Sequence, residues 1–156
     1  MTTFFLVIHI LSAIAGLGPA FVFPFVGAMM ERDATAVTTL SRATTLIADR
    51  LITPIALSMA VTGVVLIYLL DINLTRNAWL GVSIIIYVAM MAAVLFFQRP
   101  AAARLATLAA TNSASTGSRG IERAALMRRL KFGSMGITTA ILIIAVLMIW
   151  RPGGTL

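Results

Sequence analysis

The chain has 156 residues, of which 60% are hydrophobic and 11% charged, with a net charge of +7. An ordinary soluble domain has roughly 25% charged residues, and one of this size could not hide so much apolar surface from water. Together with a mean hydropathy of +1.03, these figures exclude a soluble globular enzyme, a disordered tail and a coiled coil. They leave an integral membrane protein.

The first apolar stretch covers about residues 4–28. No Lys or Arg precedes it, it is long, and Pro19 and Pro24 interrupt it, so it reads as a retained span rather than a signal peptide. The two prolines predict a bend in its lower half, because each lacks an amide donor. Ser12, Gly16 and Ala20 form a stripe of small residues along it. Residues 29–51 then carry Arg32, Arg42 and Arg50. Within them Val37, Leu40 and Ile47 stand at helical spacing, with Asp33 placed to act as an N-cap. This predicts a short helix that lies on the membrane or extends the first span.

The second stretch covers about residues 52–70, with Pro54 near its start, where a proline is tolerated. Its small residues are Ala56, Ala60 and Gly63. The third covers about residues 79–97. Residues 98–131 follow and hold seven basic side chains: Arg99, Arg104, Arg119, Arg123, Arg128, Arg129 and Lys131. Residues 111–120 are a Ser/Thr/Gly stretch that reads as a flexible linker. Residues 121–131 resume a helical pattern and read as an extension of the fourth span held to the headgroups, with a lipid-sensing or partner-docking helix as the alternative. The fourth stretch covers about residues 132–150, with Gly133, Gly136 and Ala140 as its small residues. Each stretch is near the ~20 residues needed to cross a ~30 Å hydrocarbon core. Lipid gives helices no hydrophobic drive to associate, so the small-residue stripes predict close packing in an all-α four-helix transmembrane bundle forming one domain.

The charges orient the bundle. Ten basic residues fall in the two long connections, and only Arg76 and Arg151 lie on the other side. The positive-inside rule places both long connections in the cytoplasm and both termini outside. Tyr68, Trp79 and Trp150 then fall at the outer interface, where amphipathic rings prefer to sit. No recognised nucleic-acid motif accompanies the positive charge, so the basic residues read as topology signals and contacts to anionic lipid headgroups. Asp71 and Glu122 read as solvated, or as paired with Arg76 and Arg123. The nine methionines are scattered and read as core filler.

His9 is the only histidine. It lies roughly 9 Å below the outer end of its span at 1.5 Å per residue, on the face of Ser12 and Gly16, and so points into the bundle. An ionisable group inside a span is a functional-site hypothesis by default. Tyr68, Ser83 and Met148 stand at comparable depth, with Thr62 and Tyr87 somewhat deeper. Three readings stay open: an interhelical hydrogen bond, ligation of haem iron or copper, or proton handling. One histidine supplies one axial ligand, so a second would come from Met148, another subunit or water. The absence of cysteine excludes thiolate sites and disulfides. No paired intramembrane carboxylate, Ser/His/Asp set or Gly-rich phosphate loop is present.

These residues carry a resemblance. The run His-Ile-Leu-Ser-Ala from His9 to Ala13, the glycines Gly16 and Gly18, the pairs Thr53-Pro54, Thr62-Gly63 and Trp79-Leu80, and the ending Leu147-Met148-Ile149-Trp150-Arg151-Pro152-Gly153 span nearly the whole chain. They resemble the bacterial family of predicted integral membrane proteins called domain of unknown function 2269. The first span departs from that family where relatives carry a Trp followed by glycines and this chain has Gly16-Leu17-Gly18-Pro19. The resemblance implies a four-helix fold and no established activity. Ile8-His9-Ile10 is also similar to an early-helix segment in copper-resistance D-type proteins and in the membrane protoporphyrinogen oxidase that binds haem. That analogy implies haem b or copper at His9, and no enzymatic role is carried over.

The sequence-based expectation is therefore a small non-enzymatic protein of the bacterial inner membrane, N-out and C-out, with a haem or metal site at His9 and Met148 as a second ligand. The alternatives are an accessory subunit packed against a larger respiratory or photosynthetic complex, a homo-oligomer, and, less favoured, a small transporter or channel.

Overall fold

The computed structural model describes residues 1–33, 35–110 and 118–152. Among them the chain is helical with no strand. Four helices are long and apolar enough to cross a membrane: Thr2–Arg32, Val37–Leu69, Ala78–Ala109 and Ser118–Trp150. They hold the four apolar stretches and continue beyond them. The N-terminus, the 70–77 connection and Trp150 lie at one end, where Arg151 stands 5.8 Å over the Trp79 ring. The residues flanking the other two connections form the opposite, basic end.

Three of the four helices depart from regularity where a proline removes an amide. The first consists of α1 (Thr2–Leu17), a 3-10 turn over Gly18–Phe21 that contains Pro19, and α2 (Phe23–Arg32) with Pro24 in its first turn. Pro24 cannot donate to the Ala20 carbonyl four residues back. The Thr138 hydroxyl of the last helix donates to it instead, at 3.4 Å. The second helix consists of α3 (Val37–Ile47), a π-helical turn over Ala48–Ile52, and α4 (Thr53–Leu69). That turn sits directly before Pro54, and the Thr53 hydroxyl donates 2.8 Å to the Ala48 carbonyl. The third repeats the arrangement. It has α5 (Ala78–Ala93), a π-helical turn over Val94–Gln98, then α6 (Arg99–Ala110) with Pro100 as its second residue. The fourth is the unbroken α7 (Ser118–Trp150). No proline lies within it.

Three local expectations are corrected. The segment with Val37, Leu40 and Ile47 extends the second span rather than the first. Asp33 has extended backbone and ends α2, while no breaker separates Ile47 from α4. Asp33 is not the N-cap of α3, which is Ala36. Its carboxylate instead accepts the Thr35 hydroxyl at 2.6 Å and the Thr35 amide at 2.8 Å, bonds that hold it below the usual carboxylate range. Of the 111–120 linker, residues 118–120 belong to α7, and 111–117 lie outside the described residues, as does Gly153.

The helices pack as two close pairs, α1 on α4 and α5 on α7, joined where α2 meets α7 and α3 meets α6. The α1–α4 contact is tight because it is built from small residues. Ser12, Gly16 and Ala56 are buried, and a Cβ on Gly16 would lie 3.0 Å from Ile55 Cγ2. The α7 stripe behaves unevenly. Gly133 lies against the Gln98 amide, whereas Gly136 faces open space and is exposed, so only part of that stripe is a contact.

Apolar burial concentrates in two places. Ala20, Met90 and Ile141 form the mid-bundle cluster. Met30, Val37, Leu105 and Ala109 form a second at the basic end, backed by Leu126 and Leu130. Val37 is 0% and Leu105 1% exposed, the deepest apolar side chains described. These segments carry most of the Arg and Lys, and charges are excluded from hydrocarbon. This second cluster is thus driven by water, as in a soluble core. Leu105→Ala should lower stability by roughly 2–5 kcal/mol. The same truncation at the lipid-facing Ile85, 69% exposed, should stay within about 0.5 kcal/mol. Unfolding of each variant in mixed micelles checks this.

Candidate functional site

His9 sits in the α1–α4 contact, in the half of the bundle near the termini. Its Nδ1 lies 3.0 Å from the Thr62 Oγ1. The Thr62 hydroxyl is also 2.9 Å from the Ser58 carbonyl and 3.0 Å from the Met59 carbonyl. The Thr62 hydroxyl and Nδ1 share one hydrogen bond, whose direction follows the imidazole tautomer. One turn along, the Ser12 and Ser58 hydroxyls pair at 3.2 Å. The strip clamps α1 to α4. Gly63 packs closely on the ring, where a Cβ would lie 3.2 Å from His9 Cε1. A porphyrin cannot enter this contact, so the residues around His9 do not fit a haem held between α1 and α4.

The other predicted site residues are distributed as follows. Met148 lies on α7 near its end, where its carbonyl accepts the Arg151 Nε at 3.3 Å. α7 packs on α5, α2 and α6, and the hydrogen-bond partner of His9 is on α4. The fold therefore does not place Met148 in the His9 contact. Ser83 is buried and donates to the Trp79 carbonyl at 2.8 Å. The Tyr87 hydroxyl reaches across to the Ala56 carbonyl at 2.7 Å and ties α5 to α4. Tyr68 is exposed. Among the described residues no three His, Cys, Asp or Glu side chains gather as a metal-holding group. No buried side-chain nitrogen or oxygen among them lacks a partner.

A concave feature lies elsewhere, between the mid-bundle cluster and the basic end. It is a cavity of about 450 Å³ bounded by all four helices. Its walls are apolar, with Ala20, Met90 and Ile141 on one side and Met30 and Leu130 on the other. Both π-helical turns contribute to the lining, through Ala48, Asp49 and Ile52 and through Val94 and Gln98. Its few polar groups converge at the basic end. Asp49 accepts the Arg99 Nε at 2.9 Å, and Lys131 Nζ donates 2.7 Å to Glu31. Both ion pairs are part-exposed, so the lining reaches the surface there. The Gln98 amide donates to the Leu130 carbonyl at 3.4 Å.

Sequence reasoning took Arg99 and Lys131 as topology signals and passed over Asp49 and Gln98. No local signal in the sequence marks Asp49 or Gln98 as facing a shared space. Glu122 also pairs differently from the expectation, with Arg104 at 3.3 Å. Asp71 forms no ion pair with Arg76 among the described residues; it closes α4 with positive φ.

The model of the predicted integral membrane protein family, DUF2269, matches residues 3–152. Neither the curated proteins nor the solved structures give a match.

Interhelical hydrogen bonds in membranes average about 0.6 kcal/mol and reach about 1.7. Thr62→Val should therefore lower stability by roughly 1 kcal/mol, and Thr62→Ser should retain most of it. Unfolding in mixed micelles measures both.

Proposed function

We propose that this chain, which belongs to the family of predicted integral membrane proteins DUF2269, is a small non-enzymatic binding protein of the bacterial inner membrane. Its ligand is an apolar molecule held in the cavity between the four helices. The observation that carries this reading is the cavity itself. Its volume of about 450 Å³ falls in the roughly 300–1,000 Å³ range of small-molecule sites, which are apolar with a few placed polar groups.

The orientation belongs to the same reading. Ten of twelve basic residues lie in or beside the two long connections, which supports termini outside and the cavity mouth at the cytoplasmic leaflet. His9 supports a second, weaker reading. The Thr62 bond engages one ring nitrogen of His9, and a metal-ligating imidazole has its second nitrogen held by a hydrogen bond. The α1–α4 contact leaves no room for a porphyrin between those helices, and Met148 of the same chain lies outside the His9 contact, so a haem or copper ion on His9 would take its second ligand from elsewhere. An accessory-subunit role would use the outward faces of α1 and α4.

Two experiments test the main reading. Gly27 lines the cavity, and a Cβ there would find only Lys131 Cβ, at 4.0 Å. Gly27→Phe therefore fills the space without a backbone clash. A diazirine-bearing oleyl alcohol should label wild-type cavity residues saturably and label Gly27→Phe several-fold less. Labelling confined to lipid-facing residues and equal in the two proteins would overturn the reading. For the orientation, Ser118→Cys should resist a membrane-impermeant thiol reagent in intact cells and react after lysis.

A further inference from the structure

We infer that the cavity takes a single-chain amphiphile ending in a carboxylate, a long-chain fatty acid, with its tail among the apolar walls and its head at Arg99 and Lys131. This rests on the cavity reading above and names the ligand class. The walls call for a chain rather than a polar molecule. Ala20, Met90, Ile137 and Ile141 offer no donor or acceptor side chain. Thr44 and Thr45 line the space, but their hydroxyls already serve backbone carbonyls of their own helix, at 2.8 Å each.

The sign and shape of the head follow from the basic end. The lining holds two cations, Arg99 and Lys131, against one carboxylate, Asp49. The wider basic end holds ten Arg and Lys against Glu31, Asp33, Asp49 and Glu122. The field at the mouth is therefore positive, and it draws anions. Each lining cation now contacts a carboxylate of the chain, Arg99 on Asp49 and Lys131 on Glu31. A ligand carboxylate is the group that takes such a place without changing the geometry at the cation, since the guanidinium fork matches it. Both ion pairs are part-exposed, so exchanging partners there needs no charge to be left dry. The Gln98 amide, at the same end, adds a neutral donor to the head's surroundings.

The test uses the purified full chain in mild detergent and the diazirine oleyl alcohol probe, competed by unlabelled oleate, oleyl alcohol or oleylamine. All three competitors share a chain, so the tail contribution cancels. Oleate should compete about tenfold better than oleyl alcohol, the scale of one charge-assisted hydrogen bond. Oleylamine should be the weakest of the three. Changing both pairs together, Asp49→Asn with Arg99→Gln and Glu31→Gln with Lys131→Gln, removes the cations and leaves no carboxylate unpaired. In that variant oleate and oleyl alcohol should compete equally. Oleate no better than oleyl alcohol in the wild type would overturn the carboxylate assignment while leaving the cavity reading intact. So would oleylamine matching oleate, or a preference unchanged in the four-substitution variant. Competition by none of the three would overturn the cavity reading as well. The wild-type comparison decides the matter even where the variant does not fold.

Discussion

Proline in a membrane helix sets the terms for this molecule. In hydrocarbon no water is present to meet a backbone carbonyl, so every amide removed must be answered within the protein. Pro19, Pro24, Pro54 and Pro100 each remove one inside a long helix. The answers are a 3-10 turn at Gly18–Phe21, π-helical turns at Ala48–Ile52 and Val94–Gln98, and the Thr138 hydroxyl on the Ala20 carbonyl. π-turns inside α-helices recur at functional sites. Here the two face one cavity and carry Asp49 and Gln98 into it.

Two solvents divide the rest of the packing. Within the apolar part the contacts are small residues and hydroxyls: Gly16 against Ile55, Ser12 with Ser58, His9 with Thr62, Tyr87 on the Ala56 carbonyl. At the basic end the contacts are those of a soluble core, with Val37 and Leu105 fully enclosed. The cavity lies between these regimes and shares lining residues with both clusters. An amphiphile matches such a boundary, since its tail belongs with one regime and its head with the other.

Much of the fold was legible in the chain. Four apolar runs near ~20 residues long read as four helices because period and hydropathy are summed over many residues. The small-residue stripe Ser12, Gly16, Ala20 and the inward face of His9 were read correctly for the same reason. The apparent loops were misjudged. Val37, Leu40 and Ile47 were read as a helical stripe, yet as a helix on the membrane or an extension of the first span, while Leu105 lies in a segment whose Arg content masks its apolar face. The cavity was not legible at all. Asp49 and Arg99 are 50 residues apart, and nothing local in either sequence segment indicates that a π-turn aims both at one space. His9 drew attention as the only imidazole, yet its geometry is explained by one hydroxyl on the facing helix.

The central claim is that the cavity is a ligand site, and the most direct measurement is native mass spectrometry with a visible spectrum on protein extracted from its own membrane. The account predicts one bound mass in the range of a long-chain fatty acid, absent from Gly27→Phe, and no Soret band. A haem or copper adduct retained in Gly27→Phe and lost in His9→Ala would contradict it, as would a wild-type protein that carries no bound mass.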